Sequence, residues 1–203
     1  MSARPAAPPI DLTRLGRIGG TSFRGSVYRF IGSRFLSSPL SGAGSRVQGG
    51  RFNSPGSFEV LYTALAADTA LAEREGILLT HEAIKLARGI RTGVLLKIDC
   101  RLQSVLDLAE ESTRIELGVA LQTLIGPWIT WGIDDPSQAV AALAPSQRIG
   151  SAIHADGRFE GILTLSAKDP GGRCLAIFPD RLRESSHVRV ADPDGAIRAS
   201  LGL

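Results

Sequence analysis

The stretch GILTLSAKDPGGRCLAIF, residues 161–178, is the part of the sequence that decides the fold most clearly. Two apolar runs, Gly161–Ser166 and Arg173–Phe178, flank the segment Ala-Lys-Asp-Pro-Gly-Gly. Asp, Pro and Gly favour tight turns, because Pro fixes φ and Gly accepts backbone angles that other residues avoid. The pattern therefore predicts an antiparallel β-hairpin.

Further strands and helices are predicted on both sides of this hairpin. Apolar and β-branched runs predict strands at Ser26–Ile31, Phe58–Thr63, Thr92–Asp99, Ser104–Leu108 and Val188–Val190. Helices are predicted from Asp68 to about Arg88 and over Ser112–Leu124, Pro136–Ala144 and Ser146–Ala155. Hairpins mixed with helices, without regular βαβ alternation, predict an α+β fold.

The composition bounds the class of protein. Hydrophobic residues make up 43% of the 203 residues and charged residues 21%, which favours a packed core over a disordered chain. We expect residues 1–20, rich in Pro, Gly and Arg, to form a flexible arm, and residues 21–203 to form a single domain. The formal net charge of +3 is too small to indicate nucleic-acid binding.

The cysteines and the apolar segments bear on the cellular location. Cys100 and Cys174 have no spacing typical of a zinc site or a disulfide framework. No stretch approaches the ~18 apolar residues of a membrane span. The first ten residues contain three prolines and no apolar core, so we do not read them as a signal peptide. We therefore expect a cytoplasmic protein without a metal site.

The glycine-rich stretch SGAGSRVQGGRFNSPG, residues 41–56, is the most informative segment for function. Glycines let the backbone approach a ligand closely and expose N–H groups to phosphate oxygens. Arg51 could add a bidentate clamp on a diphosphate. The alternative, which composition alone favours, is a flexible surface loop with solvated arginines. The stretch is neither a Walker loop nor a dinucleotide-binding glycine motif.

Arg29 and Tyr28 lie in the strand Ser26–Ile31. Strand alternation places Tyr28 on the face opposite to Arg29. An inward-facing Arg29 needs a carboxylate or a phosphate as partner. The alternative of an outward-facing, solvated Arg29 is about equally supported by the residues alone.

Glu73 is the candidate catalytic carboxylate, because it shares a semi-apolar stripe of the predicted helix with Ile77. Glu75 is its rival. The alternative for either residue is an ordinary ion pair with Arg74 or Lys85, and the residues alone favour that alternative.

Tyr62 and Ser166 are weaker candidates. Tyr62 could stack on a flat heterocycle, although packing in the core is more common for such a residue. Ser166 ends an apolar run just before the predicted turn, where it could contact a ligand or only shape the turn.

Taken together, these segments resemble the RES family of toxins, over roughly Val27–Val190. The resemblance depends on an ordered series that contains VYRF at residues 27–30, GGRFNSPG at 49–56, LYTA at 61–64, ALAE at 70–73 and GILTLS at 161–166. Within this series, Tyr62 follows Arg51 by eleven residues and Glu73 follows Tyr62 by eleven. The sequence departs from the family at Phe52, where Trp is usual, and in the divergent segment around residues 90–160.

The resemblance implies an ADP-ribosyltransferase-like fold, with a split mixed β-sheet surrounded by helices, that binds NAD+ as substrate. It implies that Arg29 and Arg51 hold the diphosphate, with Tyr28 also in the NAD+ site. Tyr62 would pack against the nicotinamide and Ser166 would lie near the bound NAD+. Glu73 would stabilise the positive charge that develops on the ribose, and no metal is required.

The resemblance also implies partners. RES toxins of type II toxin–antitoxin systems are neutralised by Xre-like helix-turn-helix antitoxins, and we expect the antitoxin to cover the cleft. The acceptor of ADP-ribose is either a protein, which we favour, or phosphate or water, which would deplete NAD+. Two hypotheses of other classes remain: a non-catalytic nucleotide-binding module, and a nucleic-acid-binding domain that the small net charge disfavours.

Overall fold

The computed structural model describes residues 10–78, 93–129 and 143–202. The helices α1–α5 span Ala43–Gln48, Ala67–Leu78, Glu111–Glu116, Leu121–Ile125 and Pro145–Asp156. The strands β1–β7 span Thr21–Gly32, Leu61–Ala64, Gly93–Asp107, Gly161–Leu165, Arg173–Ile177, His187–Val190 and Ser200–Leu201. Short 3-10 helices lie at Leu12–Arg17, Ser33–Phe35 and Pro179–Arg181. The α+β class and the hairpin, formed by β4 and β5, are confirmed.

The strands form one mixed sheet in the order β1-β2-β5-β4-β3-β6-β7. Strand β1 also pairs with β3, so five of the strands close into a small barrel. Closure is possible because β3 is 15 residues long and uses both of its edges. One edge pairs with β1, and the other pairs antiparallel with β6 and parallel with β4. The predicted mixed sheet with surrounding helices is therefore correct, and the closure is an addition to it.

Alternation along the strands separates two cores. One face fills the barrel, and the other packs under α5. On β5, for example, Leu175 lies in the barrel and Ala176 lies against the α5 side. Both faces of β2, β4 and β5 are thus buried, which explains their almost continuous apolar sequences. The α5-side core includes Phe52, Leu106, Ile149, Ile153, Phe159, Ile162 and Phe178.

Several predicted boundaries need correction. The predicted strands Thr92–Asp99 and Ser104–Leu108 are parts of one strand, β3. The predicted helix Ser112–Leu124 is two short helices, because Gly118 has a φ of 63° and interrupts it. The predicted helix at 136–144 and the part of the Asp68 helix beyond residue 78 fall mainly or wholly outside the described residues.

The expectation of a flexible arm is wrong for residues 10–20. They form the 3-10 helix Leu12–Arg17, and Leu15 and Ile18 are buried in the α5-side core. Arg158 donates hydrogen bonds to the carbonyl oxygens of both residues. Three apolar residues spaced three apart, beginning at Leu12, carried this signal, whereas the overall composition obscured it. Residues 1–9 lie outside the described residues.

None of the described helices combines the length and the apolar character that a membrane span requires.

Candidate active site

The Glu73 carboxylate lies where helix α2 meets the turn between β4 and β5. Its Oε1 accepts hydrogen bonds from Ser166 Oγ at 2.6 Å and from the Ala167 N–H at 2.9 Å. The thiol of Cys174, on β5, lies 3.9 Å from the same oxygen. Within the described part of the chain, no hydrogen bond reaches Oε2 from any side chain or backbone group. One carboxylate oxygen is therefore fixed, and the other has no hydrogen-bond partner among the described residues.

Ser166 is the residue that orients Glu73. It is buried at the end of the hairpin strand, and its Oγ accepts hydrogen bonds from the N–H groups of Lys168 and Asp169. Both acceptor positions of the hydroxyl are thus used inside the turn, so its single proton goes to Glu73. Ser166 was predicted to lie near the bound NAD+, and its direct hydrogen bond to Glu73 was not predicted.

Arg51 lies in the same region as Glu73. Its Nη1 donates to the carbonyl oxygens of Leu124 and Gly126, at 2.7 Å each, at the C-terminal end of helix α4. Burial lowers the pKa of Arg51, and the nearby charge of Glu73 opposes that shift. The carbonyls at a helix C-terminus carry partial negative charge and favour a cation there. Arg51 is thus fixed beside Glu73 with part of its five-donor guanidinium still available.

Tyr62 supports the glycine-rich stretch. Its hydroxyl donates to Asn53 Oδ1 and accepts from the Phe52 N–H, both at 2.9 Å. Burial raises the pKa of this hydroxyl, so it stays protonated. A Cβ atom on Gly50 would lie 2.5 Å from the hydroxyl oxygen, so glycine is required for this close approach. The Tyr62 hydroxyl is therefore committed to the loop that carries Arg51.

The sequence reasoning missed Gln147, on α5. Its Nε2 donates to the carbonyl oxygens of Gly50 and Asn53, and its Oε1 accepts from the Ala144 N–H. Asn53 is fully buried and binds the carbonyls of Ser45 and Phe58. These bonds, together with helix α1, overturn the interpretation of residues 41–56 as a flexible surface loop. A glutamine at the third helical position predicts a capping interaction, which accounts for only one of these bonds.

Tyr28 and Arg29 point to opposite faces of β1, as alternation predicted. Tyr28 pairs across strands with Ala64, and Ala64 pairs with Cys174, so the three side chains share the face on which Glu73 lies. Arg29 shares the barrel-side face with Val27. The structure thus brings Arg51, Tyr62, Glu73 and Ser166 together, places Tyr28 on the same face, and places Arg29 on the other.

Arg29 is a partly buried cation. Its Nη2 donates to the Ser41 carbonyl at 3.1 Å, and its buried Nε has no hydrogen-bond partner within the described chain. Burial lowers its pKa to about 10. No salt bridge involves Arg29 among residues 10–78, 93–129 and 143–202. The outward-facing alternative is therefore wrong, and the side chain retains capacity to bind an anion.

The alternatives for Glu73 can be compared with these contacts. The guanidinium of Arg74 stacks on the Phe30 ring at 3.9 Å from its centroid. The side chain of Glu75 and the whole of Lys85 lie outside the described residues. The described contacts of Glu73 are thus with the hairpin turn, and they account for its orientation without an ion pair.

Cys174 adds a neutral group to the site. Burial, and then the charge of Glu73, raise the pKa of its thiol to about 12, so the thiol is protonated at neutral pH. In the described part of the chain, no three His, Cys, Asp or Glu side chains are grouped to hold a metal ion.

Comparison with known proteins identifies the family. The model of the RES domain matches residues 26–200. In structure, the chain is similar to a chain of the M. tuberculosis MbcT–MbcA toxin–antitoxin complex, with a TM-score of 0.62 and 23% identity. That match covers 95% of this chain and 91% of the other, and at this identity it demonstrates a common fold. The curated proteins include no significant match. Because the family model covers most of its length, the chain belongs to the RES domain family.

Proposed function

We propose that this protein is the toxin of a type II toxin–antitoxin pair that consumes NAD+ in the cytoplasm. It cleaves the bond between nicotinamide and ribose and passes ADP-ribose to a protein. The observation that carries this proposal is the Glu73 carboxylate, which is held on one oxygen by Ser166 and Ala167 and lies beside Arg51.

The arrangement suits cleavage of a glycosidic bond to a pyridinium. The bond breaks with positive charge developing on the ribose, and a carboxylate held in place stabilises that charge without reorganising. Nicotinamide leaves as a neutral molecule, so no general acid is needed. The fixed Oε1 of Glu73 sets the direction of Oε2, which would face the sugar.

The same site contains groups for a diphosphate. Arg51 uses Nη1 on two carbonyls, and its remaining N–H groups can bind phosphate oxygens. Arg29 lies on the other face of β1, and we keep it as a second candidate because a desolvated guanidinium without a carboxylate gains from a nearby anion. Tyr28 would contribute its ring at the NAD+ site. Tyr62 would act by holding the loop of Arg51, with its ring available to the nicotinamide.

The proposed partner is an antitoxin with an Xre-like helix-turn-helix domain. The family match and the fold shared with a chain of a toxin–antitoxin complex support this proposal. The antitoxin would cover the cleft and bury Glu73. A structure of the two proteins together that left Glu73 open to solvent would contradict it.

NAD+ labelled on its adenylate moiety tests the reaction and the acceptor together. We would incubate it with the protein, with and without cell lysate, and measure nicotinamide release and the fate of the label. Label on a protein band indicates protein transfer, whereas free ADP-ribose or its phosphate indicates NAD+ destruction. Binding of NAD+ without nicotinamide release would support the non-catalytic module instead.

Glu73→Gln is the decisive variant in this assay. We expect it to fold and bind NAD+ but to turn over at least ~10²-fold more slowly, the usual effect of losing one electrostatic stabiliser. Glu184→Gln is the matched control, because Glu184 is an exposed carboxylate on the loop before β6, a strand that contributes no residue to the candidate site. Turnover by Glu73→Gln close to that of the control would transfer the role to Glu75.

A further inference from the structure

Helix α2 is joined to the β4–β5 turn at two points, of which Glu73 is only one. Thr69 lies four residues before Glu73, so the two side chains share one face of the helix, one turn apart. Thr69 is almost fully buried, and its Oγ1 donates to Asp169 Oδ2 at 2.5 Å. The turn therefore contacts α2 twice: Asp169 binds Thr69, and Ser166 and Ala167 bind Glu73 one helical turn later.

The two contacts are linked inside the turn. The Asp169 N–H donates to Ser166 Oγ at 3.0 Å, and that oxygen in turn donates to Glu73. The Asp169 carbonyl accepts from the Gly172 N–H, and the Gly172 carbonyl accepts from the Ser166 N–H. A displacement of Asp169 must therefore move the hydroxyl that orients Glu73.

Gly172 is shaped to this contact. A Cβ atom at position 172 would lie 2.5 Å from Asp169 Oδ2 and 2.8 Å from Thr69 Oγ1. Gly171 is different: its φ is 85°, and a Cβ atom there would meet nothing within 4 Å. The first glycine thus satisfies the backbone angle of the turn, and the second leaves room for the Thr69–Asp169 pair.

We propose that Thr69 and Asp169 form a latch that positions Glu73, and that turnover depends on it. Since Oδ2 of Asp169 is held by Thr69, we assign Asp169 a positioning role and not that of a base acting on the substrate. This inference rests on the proposed function of Glu73. The latch shares no group with the hydrogen bonds that fix Arg51, so we expect its loss to affect the chemical step more than substrate binding.

The test combines variants that remove the hydrogen bond with conservative variants that keep it. Thr69→Val and Asp169→Ala remove the hydrogen bond, whereas Thr69→Ser and Asp169→Asn keep a hydroxyl donor and an oxygen acceptor. We expect the first pair to lower kcat for nicotinamide release by about tenfold or more with KM nearly unchanged, because a small misplacement of a reacting group is costly. The conservative pair should stay within about threefold of wild type. The double variant Thr69→Val/Asp169→Ala should be no slower than the slower single variant, since both remove one interaction.

A second measurement does not depend on NAD+ chemistry. Hydrogen exchange at the Ala167 amide, which bonds Glu73, should be faster in Thr69→Val than in wild type and near normal in Thr69→Ser. Unchanged exchange in Thr69→Val would overturn the latch. If the wild-type protein released no nicotinamide, the proposed function would be wrong. The exchange experiment would still show whether the Thr69–Asp169 bond holds the turn in place. A second result would also overturn the latch: an Asp169→Asn variant that is as slow as Asp169→Ala and has an altered pH profile of kcat. In that case turnover would depend on the charge of Asp169 and not on its hydrogen bond to Thr69.

Discussion

Replacement of Ser166 by Ala removes one oxygen atom on which three hydrogen bonds meet. The hydroxyl donates to Glu73 and accepts from the N–H groups of Lys168 and Asp169. The substitution leaves the volume of the residue nearly unchanged, and Ser166 is buried. The consequences therefore come from the lost hydrogen bonds and not from repacking.

The magnitude follows from the kinds of bond involved. A hydrogen bond to a charged group contributes roughly 1.5–3 kcal/mol and a neutral one roughly 0.5–1.5 kcal/mol. Glu73 is half-buried, and the turn amides can partly regain water, so the lower end of each range applies. We expect Ser166→Ala to lower the free energy of unfolding by about 2.5 kcal/mol, or roughly 5–10 °C in Tm for a chain of this size. Turnover should fall by about 10- to 100-fold, because Glu73 loses the bond that orients it.

Thermal denaturation and nicotinamide release measure the two effects separately. Ser186→Ala is the matched control: Ser186 is fully buried, but its hydroxyl has no hydrogen-bond partner in the described chain. Removing this unsatisfied buried hydroxyl should leave the free energy of unfolding unchanged or raise it. If Ser166→Ala proved as stable and as active as Ser186→Ala, the assignment of Ser166 as the support of Glu73 would be refuted.

Two further predictions concern stability. Gly150→Ala should destabilise the protein by about 2 kcal/mol or more in chemical denaturation, because its Cβ would lie 1.9 Å from the Phe52 carbonyl oxygen. Gly44→Ala is the control and should be neutral or stabilising, because a Cβ atom at this position of α1 would meet nothing within 4 Å. Equal effects of the two substitutions would contradict the close packing of Gly150 on Phe52. The hydrogen bond from His187 lowers the pKa of Asp99. The contribution of the ionised Asp99 to folding stability is therefore fully present above the unfolded-state pKa near ~4, and it is lost as the pH falls through the lower folded pKa. The stability difference between wild type and Asp99→Asn should accordingly vanish in acid, and a difference that persisted at low pH would count against this pair.

Local sequence was informative where local chemistry decides the structure. The Pro-Gly-Gly turn, the alternation of Tyr28 and Arg29, and helix α5 could all be predicted from their own residues. The placement of Glu73 and Ser166 in one site, by contrast, came from the resemblance to the RES family, and the hydrogen bond between them was not predicted. Spacing alone could not have brought them together.

The features that were missed depend on long-range register. Closure of the barrel requires β1 to pair with β3, and nothing within either strand specifies its partner. The bonds from Arg51 to the carbonyls of Leu124 and Gly126 belong to the segment that diverges from the family pattern. Gln147 binds two carbonyls of the glycine-rich stretch, which lies more than 90 residues earlier in the chain. The sequence around Gln147 therefore gives no indication of the glycine-rich stretch as its partner.

The order in which the two halves of the site occur along the chain has a consequence during translation. Glu73 emerges from the ribosome before the turn that holds it, because Ser166 follows Glu73 by 93 residues. A nascent or prematurely terminated polypeptide would therefore contain the acidic group without its support. If Glu73 acts as proposed, the growing chain therefore stays inactive until the β4–β5 turn has been synthesised and has folded onto α2.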